Sequence, residues 1–146
     1  MDIHKNTPLR ILEIVYKNPL SIPGGLEFFS LNIGQEFADR NYLIDYIFIR
    51  DFKLKEILKP VDLGGRFAEN TKFIELKISR FYDYLGMSKL IYSLKLGKYI
   101  NRNIEKYDVI HFNGDNGGNA GIRSTSLKIM TWHGSSNSAL VDCPIT

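Results

Sequence analysis

A short apolar strand, a glycine turn and an amphipathic helix follow one another between Ile11 and Asn41. That succession restricts the rest of the chain more than any other feature. Residues 11–16 (Ile-Leu-Glu-Ile-Val-Tyr) are apolar and rich in β-branched side chains, which predicts a buried strand. Residues 17–25 contain Pro19, Pro23, Gly24 and Gly25 and therefore form a loop. Leu26, Phe29, Ile33 and Phe37 then recur at spacings of three and four, which predicts the buried face of a helix. A strand, a glycine loop and a helix in that order present helix N-terminal N–H groups to an anion. Glycine in the loop lets the backbone approach a ligand closely.

The same alternation continues. Residues 1–9 read as a tail. Leu43–Ile49 reads as a second strand, giving a β–α–β unit with parallel strands and a right-handed crossover. Residues 50–60 are charged and end in Pro60, as a short helical turn would. Residues 61–70, with Gly64 and Gly65, read as an exposed loop. Residues 72–78 alternate apolar and polar, as a strand near a sheet edge does. A helix is expected over residues 88–106, with Leu90, Leu94, Tyr99 and Ile100 on its inner face and Ile91 and Leu96 widening it. Residues 108–113 form a fourth strand, residues 114–121 a loop with four glycines, and residues 126–132 a fifth strand running into His133 and Gly134. The expected fold is a single α/β, Rossmann-like domain over residues 1–146, an open and mostly parallel sheet with helices on both faces. Ligands of such sheets bind beyond the carboxyl ends of the strands. The glycine segments at Gly24, Gly114 and Gly134 each follow a strand, so all three should rim one crevice.

Composition narrows the function classes. The 146 residues are 44% hydrophobic and 24% charged, ordinary for a globular domain. A net charge of +3 is too mild to argue for a nucleic-acid partner. Cys143 is the single cysteine, so no intrachain disulfide forms and a reducing, cytoplasmic compartment is compatible. No apolar run approaches the roughly twenty residues that span a bilayer.

Several residues carry two readings. Gly24 and Gly25 form either a phosphate-binding loop or a tight turn, with Glu27 either in the site or simply favoured by the helix dipole. Neither Gly-x-Gly-x-x-Gly nor a Walker A lysine-serine is present. His133, at a strand end, either donates to a phosphate or sugar hydroxyl or packs on Trp132. His111, inside a strand, is either a satisfied core residue or a ligand. No close His or Cys pair has metal-site spacing, so no metal and no cofactor are expected. Ser135 and Ser136 are not in a Gly-x-Ser-x-Gly elbow. Between Ser79 and Arg102, Arg80, Lys89, Lys95, Lys98 and Arg102 are mixed with Phe81, Tyr82, Tyr84, Tyr92 and Tyr99. That segment is either a basic-aromatic surface for anionic lipid or a helix with a solvated charged face.

Three motifs in order resemble the N-terminal half of family 4 glycosyltransferases, which have the GT-B fold. Ile11-Leu12-Glu13-Ile14-Val15 followed by Pro23-Gly24-Gly25-Leu26-Glu27 is similar to the family's opening strand and Gly-Gly-x-Glu turn. Tyr107-Asp108-Val109-Ile110-His111-Phe112-Asn113-Gly114 is similar to its Asp-Val-Ile-His-x-His strand, with Asn113 where the family often has His. Lys128-Ile129-Met130-Thr131-Trp132-His133-Gly134 is similar to its Thr-x-His-Gly strand end. The order and spacing hold over nearly all of residues 10–136.

The resemblance implies retaining transfer from a nucleotide-sugar donor to a sugar or lipid-linked acceptor. It implies N–H groups at Gly24, Gly25 and Leu26 against the donor diphosphate, and His133 as the catalytic histidine. It places Glu27, His111, Asn113, Gly114, Asp115, Gly134 and Ser135 in the acceptor and sugar cleft. A second, donor-binding domain or subunit is expected beyond Thr146, and this chain alone should not turn over. Peripheral contact with the inner face of a membrane is compatible. Two alternatives are a non-catalytic Rossmann-like module that binds a nucleotide or protein, and half of a sugar-nucleotide epimerase.

Overall fold

The computed structural model describes residues 7–20, 24–49, 65–113 and 127–131. Five strands form one sheet: β1 (Arg10–Lys17), β2 (Leu43–Ile49), β3 (Thr71–Leu76), β4 (Val109–Asn113) and β5 (Leu127–Thr131). Their order is β3-β2-β1-β4-β5, and every pairing is parallel. The helices are α1 (Gly25–Asp39), α2 (Arg66–Asn70), α3 (Arg80–Tyr84) and α4 (Ser88–Asn103), the last ending in a 3-10 turn, Ile104–Lys106. This is the expected open, parallel, Rossmann-like α/β sheet. The strand order reverses at β1, where such folds have their crevice.

Side chains alternate across a strand, so β1 feeds two cores. Leu12 and Ile14 point to the α4 face, where they meet Ile47, Ile110 and Phe112 from the sheet and Tyr92, Leu96 and Ile100 from the helix. Val15 points to the α1 face with Ile44, Tyr46 and Phe48, against Ala38 and Phe67. Toward its carboxyl end β1 shifts register against β2. There the Tyr92 hydroxyl donates to the Val15 carbonyl at 2.8 Å, so α4 ties the sheet at its irregular point.

Both long helices bury a face that differs in part from the expected one, although Leu96 and Ile100 of α4 are buried as expected. In α1 the buried residues are Ser30, Gly34 and Ala38, while Phe29, Ile33 and Phe37 flank the contact and Leu26 is exposed. The reason is close approach: a Cβ on Gly34 would collide with the Tyr46 hydroxyl. In α4 the inner residues are Tyr92, Leu96, Gly97 and Ile100, and Leu90 and Leu94 face solvent. Long helices lie closest to a sheet where their side chains are small or where a tyrosine end finds a polar partner, and hydrophobic spacing alone does not register either.

Two further boundaries differ from expectation. Residues 66–70, expected in an exposed loop, form α2, whose Phe67 is buried against Tyr46 and Phe73. The third strand stops at Leu76, and it lies at the sheet edge as expected. Ser79 then caps α3, its hydroxyl accepting from the Phe81 N–H at 3.3 Å. Gly86, at φ 68°, turns the chain from α3 into α4 in a conformation that favours glycine. The expected turn over residues 50–60 and the glycine loop over residues 114–121 lie outside the described residues.

Candidate functional site

The centre of the described site is a carboxylate in the middle of the sheet. Glu13 interrupts an otherwise apolar strand, is fully buried, and faces α1. Parallel register sets His111 of β4 directly opposite it, and Asn113 lies two residues on, on the same face. His111 Nδ1 is 2.6 Å from Glu13 Oε1, and Asn113 donates to Oε2 at 2.8 Å. Ser30 of α1 donates to Oε2 across a longer 3.5 Å. On its far side, His111 Nε2 is 2.6 Å from the Thr131 hydroxyl at the end of β5. A polar network thus joins β1, β4, β5 and α1.

Burial raises the Glu13 carboxyl above its ordinary 4.5, and the bonds from His111, Asn113 and Ser30 oppose that rise without cancelling it. The neighbouring Tyr46 hydroxyl is also pushed up, by burial first and by the Glu13 charge second. It therefore stays protonated and donates a hydrogen bond to the Ser30 carbonyl at 2.8 Å.

This chain has two hydrogen-bonded forms that differ by one proton taken up from solvent. With Glu13 ionised, Nδ1–H of His111 donates to it and Nε2 accepts from Thr131. With Glu13 protonated, its O–H donates to Nδ1 and Nε2–H donates to Thr131. The half-buried Thr131 is where this network meets the carboxyl edge of the sheet.

The glycine turn sits at the same edge. Gly24 is the extended N-cap of α1, with no side chain capping it, and Gly24, Gly25 and Leu26 are exposed. The first-turn N–H groups of a helix have no intrahelical acceptor and attract anions. Glu27 folds back over this end: a Cβ on Gly24 would lie 2.7 Å from its Oε2. A diphosphate approaching Gly25 would meet that carboxylate and require it to turn aside, whereas a sugar hydroxyl could donate to it.

Of the residues singled out in the sequence, Gly24, Gly25, Leu26, Glu27, His111 and Asn113 are described, and all belong to the carboxyl half of the sheet. His111 and Asn113 are buried, both ring nitrogens of His111 being engaged within the protein. Gly114, Asp115, His133, Gly134 and Ser135 lie outside the described residues. Sequence reasoning passed over Glu13, Ser30 and Thr131. The signal for Glu13 was present: an acidic residue inside a buried strand requires partners, and His111 and Asn113 share one face of another strand.

The opposite edge of the sheet has its own polar cluster. Arg10 pairs with Asp45 at 2.9 Å, and the Tyr107 hydroxyl, its pKa raised by burial, stays protonated and donates a hydrogen bond to Asp45 at 2.8 Å. It lies at the amino ends of the strands, away from the crevice, and serves to fasten β1 to β2 and to the end of α4. Among the described residues no group of three or more His, Cys, Asp and Glu side chains could hold a metal ion. Comparison of the chain with protein-family models, with curated proteins and with solved structures gives no match.

Proposed function

We propose that this chain is the acceptor-side domain of a retaining glycosyltransferase with two Rossmann-like domains. The observation that carries this reading is the gathering, at one carboxyl edge, of the Gly24–Gly25 helix N-terminus, the end of β4 and the end of β5. Those are the three segments that resemble the glycosyltransferase motifs. The departing diphosphate accumulates negative charge as the glycosidic bond breaks, and N–H groups at Gly25 and Leu26 suit that charge. Glu27 suits an acceptor hydroxyl better than a phosphate, for the reason of charge given above. His133, two residues past Thr131, is assigned to the reacting sugar, and the Glu13–His111–Thr131 network positions that strand end from beneath.

Transfer needs donor, acceptor and charge-stabilising groups held within about an ångström of reactive geometry. One domain supplies one side of such a cleft. The chain alone should therefore bind a nucleotide sugar only weakly, at roughly millimolar level, and turn over negligibly. Supplying a donor-binding domain, in cis or as a partner, should give tight donor binding and turnover.

The test is nucleotide release from a panel of sugar nucleotides, with the chain alone and with a donor-binding partner. Gly25→Val and His133→Ala should lower turnover in the reconstituted enzyme more than they lower stability. Full activity of both variants, or robust turnover by the chain alone, would overturn the assignment.

A further inference from the structure

The α3–α4 corner exposes a run of large apolar side chains that the core does not use. Phe81 is 63% exposed, Tyr84 88%, Leu90 55% and Leu94 63%, with Leu85 and Met87 between them also exposed. Leu90, Leu94 and Lys98 follow at intervals of four, so they share one stripe of α4, opposite Tyr92, Leu96 and Ile100. Contiguous exposed apolar surface of this kind marks an interaction site.

The charge around it points to one occupant. Between Ser79 and Arg102 the chain carries Arg80, Lys89, Lys95, Lys98 and Arg102 against Asp83 alone. All five cations are exposed, whereas Asp83 is half-buried and accepts from the Ser88 hydroxyl at 3.1 Å. Lys89 Nζ lies 6.0 Å from the Tyr16 ring centroid, which holds that cation beside the corner. Apolar side chains flanked by Lys and Arg, on a helix that lies along a surface, are the pattern of an interfacial membrane contact. Among the described residues no helix is long and apolar enough to cross a membrane, so α4 would lie on it.

We propose that α3 and the outer stripe of α4 dock on an anionic lipid bilayer, with Phe81, Tyr84, Leu90 and Leu94 entering the interface and the basic residues meeting the headgroups. The corner follows β3 in a parallel sheet and so lies toward the carboxyl edge that carries Gly24 and Thr131. A bilayer held there keeps the crevice within reach of an acceptor embedded in lipid. The docking itself does not depend on the transferase reading, and its test involves no sugar nucleotide.

The test is flotation of the protein with vesicles of phosphatidylcholine, with and without phosphatidylglycerol. Binding is expected on the anionic vesicles, with release by salt. Lys98→Glu with Arg102→Glu should weaken it by at least about tenfold, since each basic residue near an anionic surface is worth roughly 1 kcal/mol. Leu90→Ser with Leu94→Ser should weaken it without removing its salt dependence. Both variants alter exposed positions, and thermal melts of each establish that the fold persists. Tyr84→Trp should report burial by a blue-shifted emission on anionic vesicles only. Failure to float at low salt, equal binding to neutral vesicles, or unchanged binding by both double variants would overturn the proposal. So would concentration-dependent self-association that is abolished by the leucine substitutions in the absence of lipid, because the stripe would then be a protein interface.

Discussion

The two faces of the sheet are held by different physics. On the α4 side, β1 contributes Leu12 and Ile14 to a cluster of aliphatic and aromatic side chains, and stability there scales with apolar area removed from water. On the α1 side the same strand contributes Glu13, and the helix above it is lined with Ser30, Gly34 and Ala38. Apart from the Tyr92 and Tyr107 hydroxyls, which need their acceptors, the α4 face should tolerate changes that keep its volume. The other depends on every member of a polar network finding its partner, because a buried polar group left alone costs far more than a formed bond returns.

The largest effects on either face should come from single truncations, and what separates the faces is coupling between neighbours. Glu13→Ala removes the acceptor for His111, Asn113 and Ser30 and should cost about 3–5 kcal/mol in denaturant unfolding. A cycle with His111→Ala should show coupling above about 1 kcal/mol; additivity would mean that the two side chains do not act as a unit. Leu96→Ala on the other face should cost about 2–5 kcal/mol by cavity formation, and should add to Glu13→Ala because the two sites share no partner.

A smaller contrast lies in the helix glycines. Gly34→Ala drives a methyl into the Tyr46 hydroxyl and within 3.1 Å of the Phe67 ring, so a loss of about 1–3 kcal/mol is expected. Gly97→Ala meets nothing within 4 Å and should gain up to about 1 kcal/mol from helix propensity. Melting temperatures that moved the same way in both variants would contradict the asymmetry.

The smallest effect is a slope. Burial holds the Glu13 carboxyl above 4.5, so the folded chain binds that proton more tightly than the unfolded chain does. Its contribution is complete below about pH 4.5 and fades as pH rises through the folded value. The stability difference between the wild type and Glu13→Gln should therefore drift against the wild type as pH increases over that range. A difference flat in pH would show that Glu13 titrates alike in both states.

Much of the architecture was legible because strands carry strong local signals. The apolar run of β2 coincides with its observed bounds, and the glycine turn marked the start of α1. The phase of the helices was legible only in part: Leu96 and Ile100 are buried as expected, but Leu90 and Leu94 look like core residues and face solvent, while Ser30, Gly34 and Tyr92 are buried without looking so. Their burial is decided by how closely each helix approaches the sheet. Phe67 was missed because one buried aromatic in a short segment has no periodicity. For the candidate site, the glycine turn and the histidine strand could be found from local motifs. Glu13 could not be joined to His111 without the pairing of β1 with β4.

That pairing reaches across 98 residues of sequence, which has a consequence for the nascent chain. β1 and β2 leave the ribosome long before β4, so one flank of β1 waits as an open edge bearing Ile11, Leu12, Ile14 and Val15. Open apolar edges recruit other strands, and a charged side chain pointing from the strand is one of the ways proteins discourage this. While water still reaches it, Glu13 is an ionised gatekeeper, and it gives up that solvation only when His111 and Asn113 arrive. Glu13→Val should accordingly aggregate more during refolding at micromolar concentration than its final stability accounts for, and equal refolding yields for equally stable variants would remove the gatekeeping role.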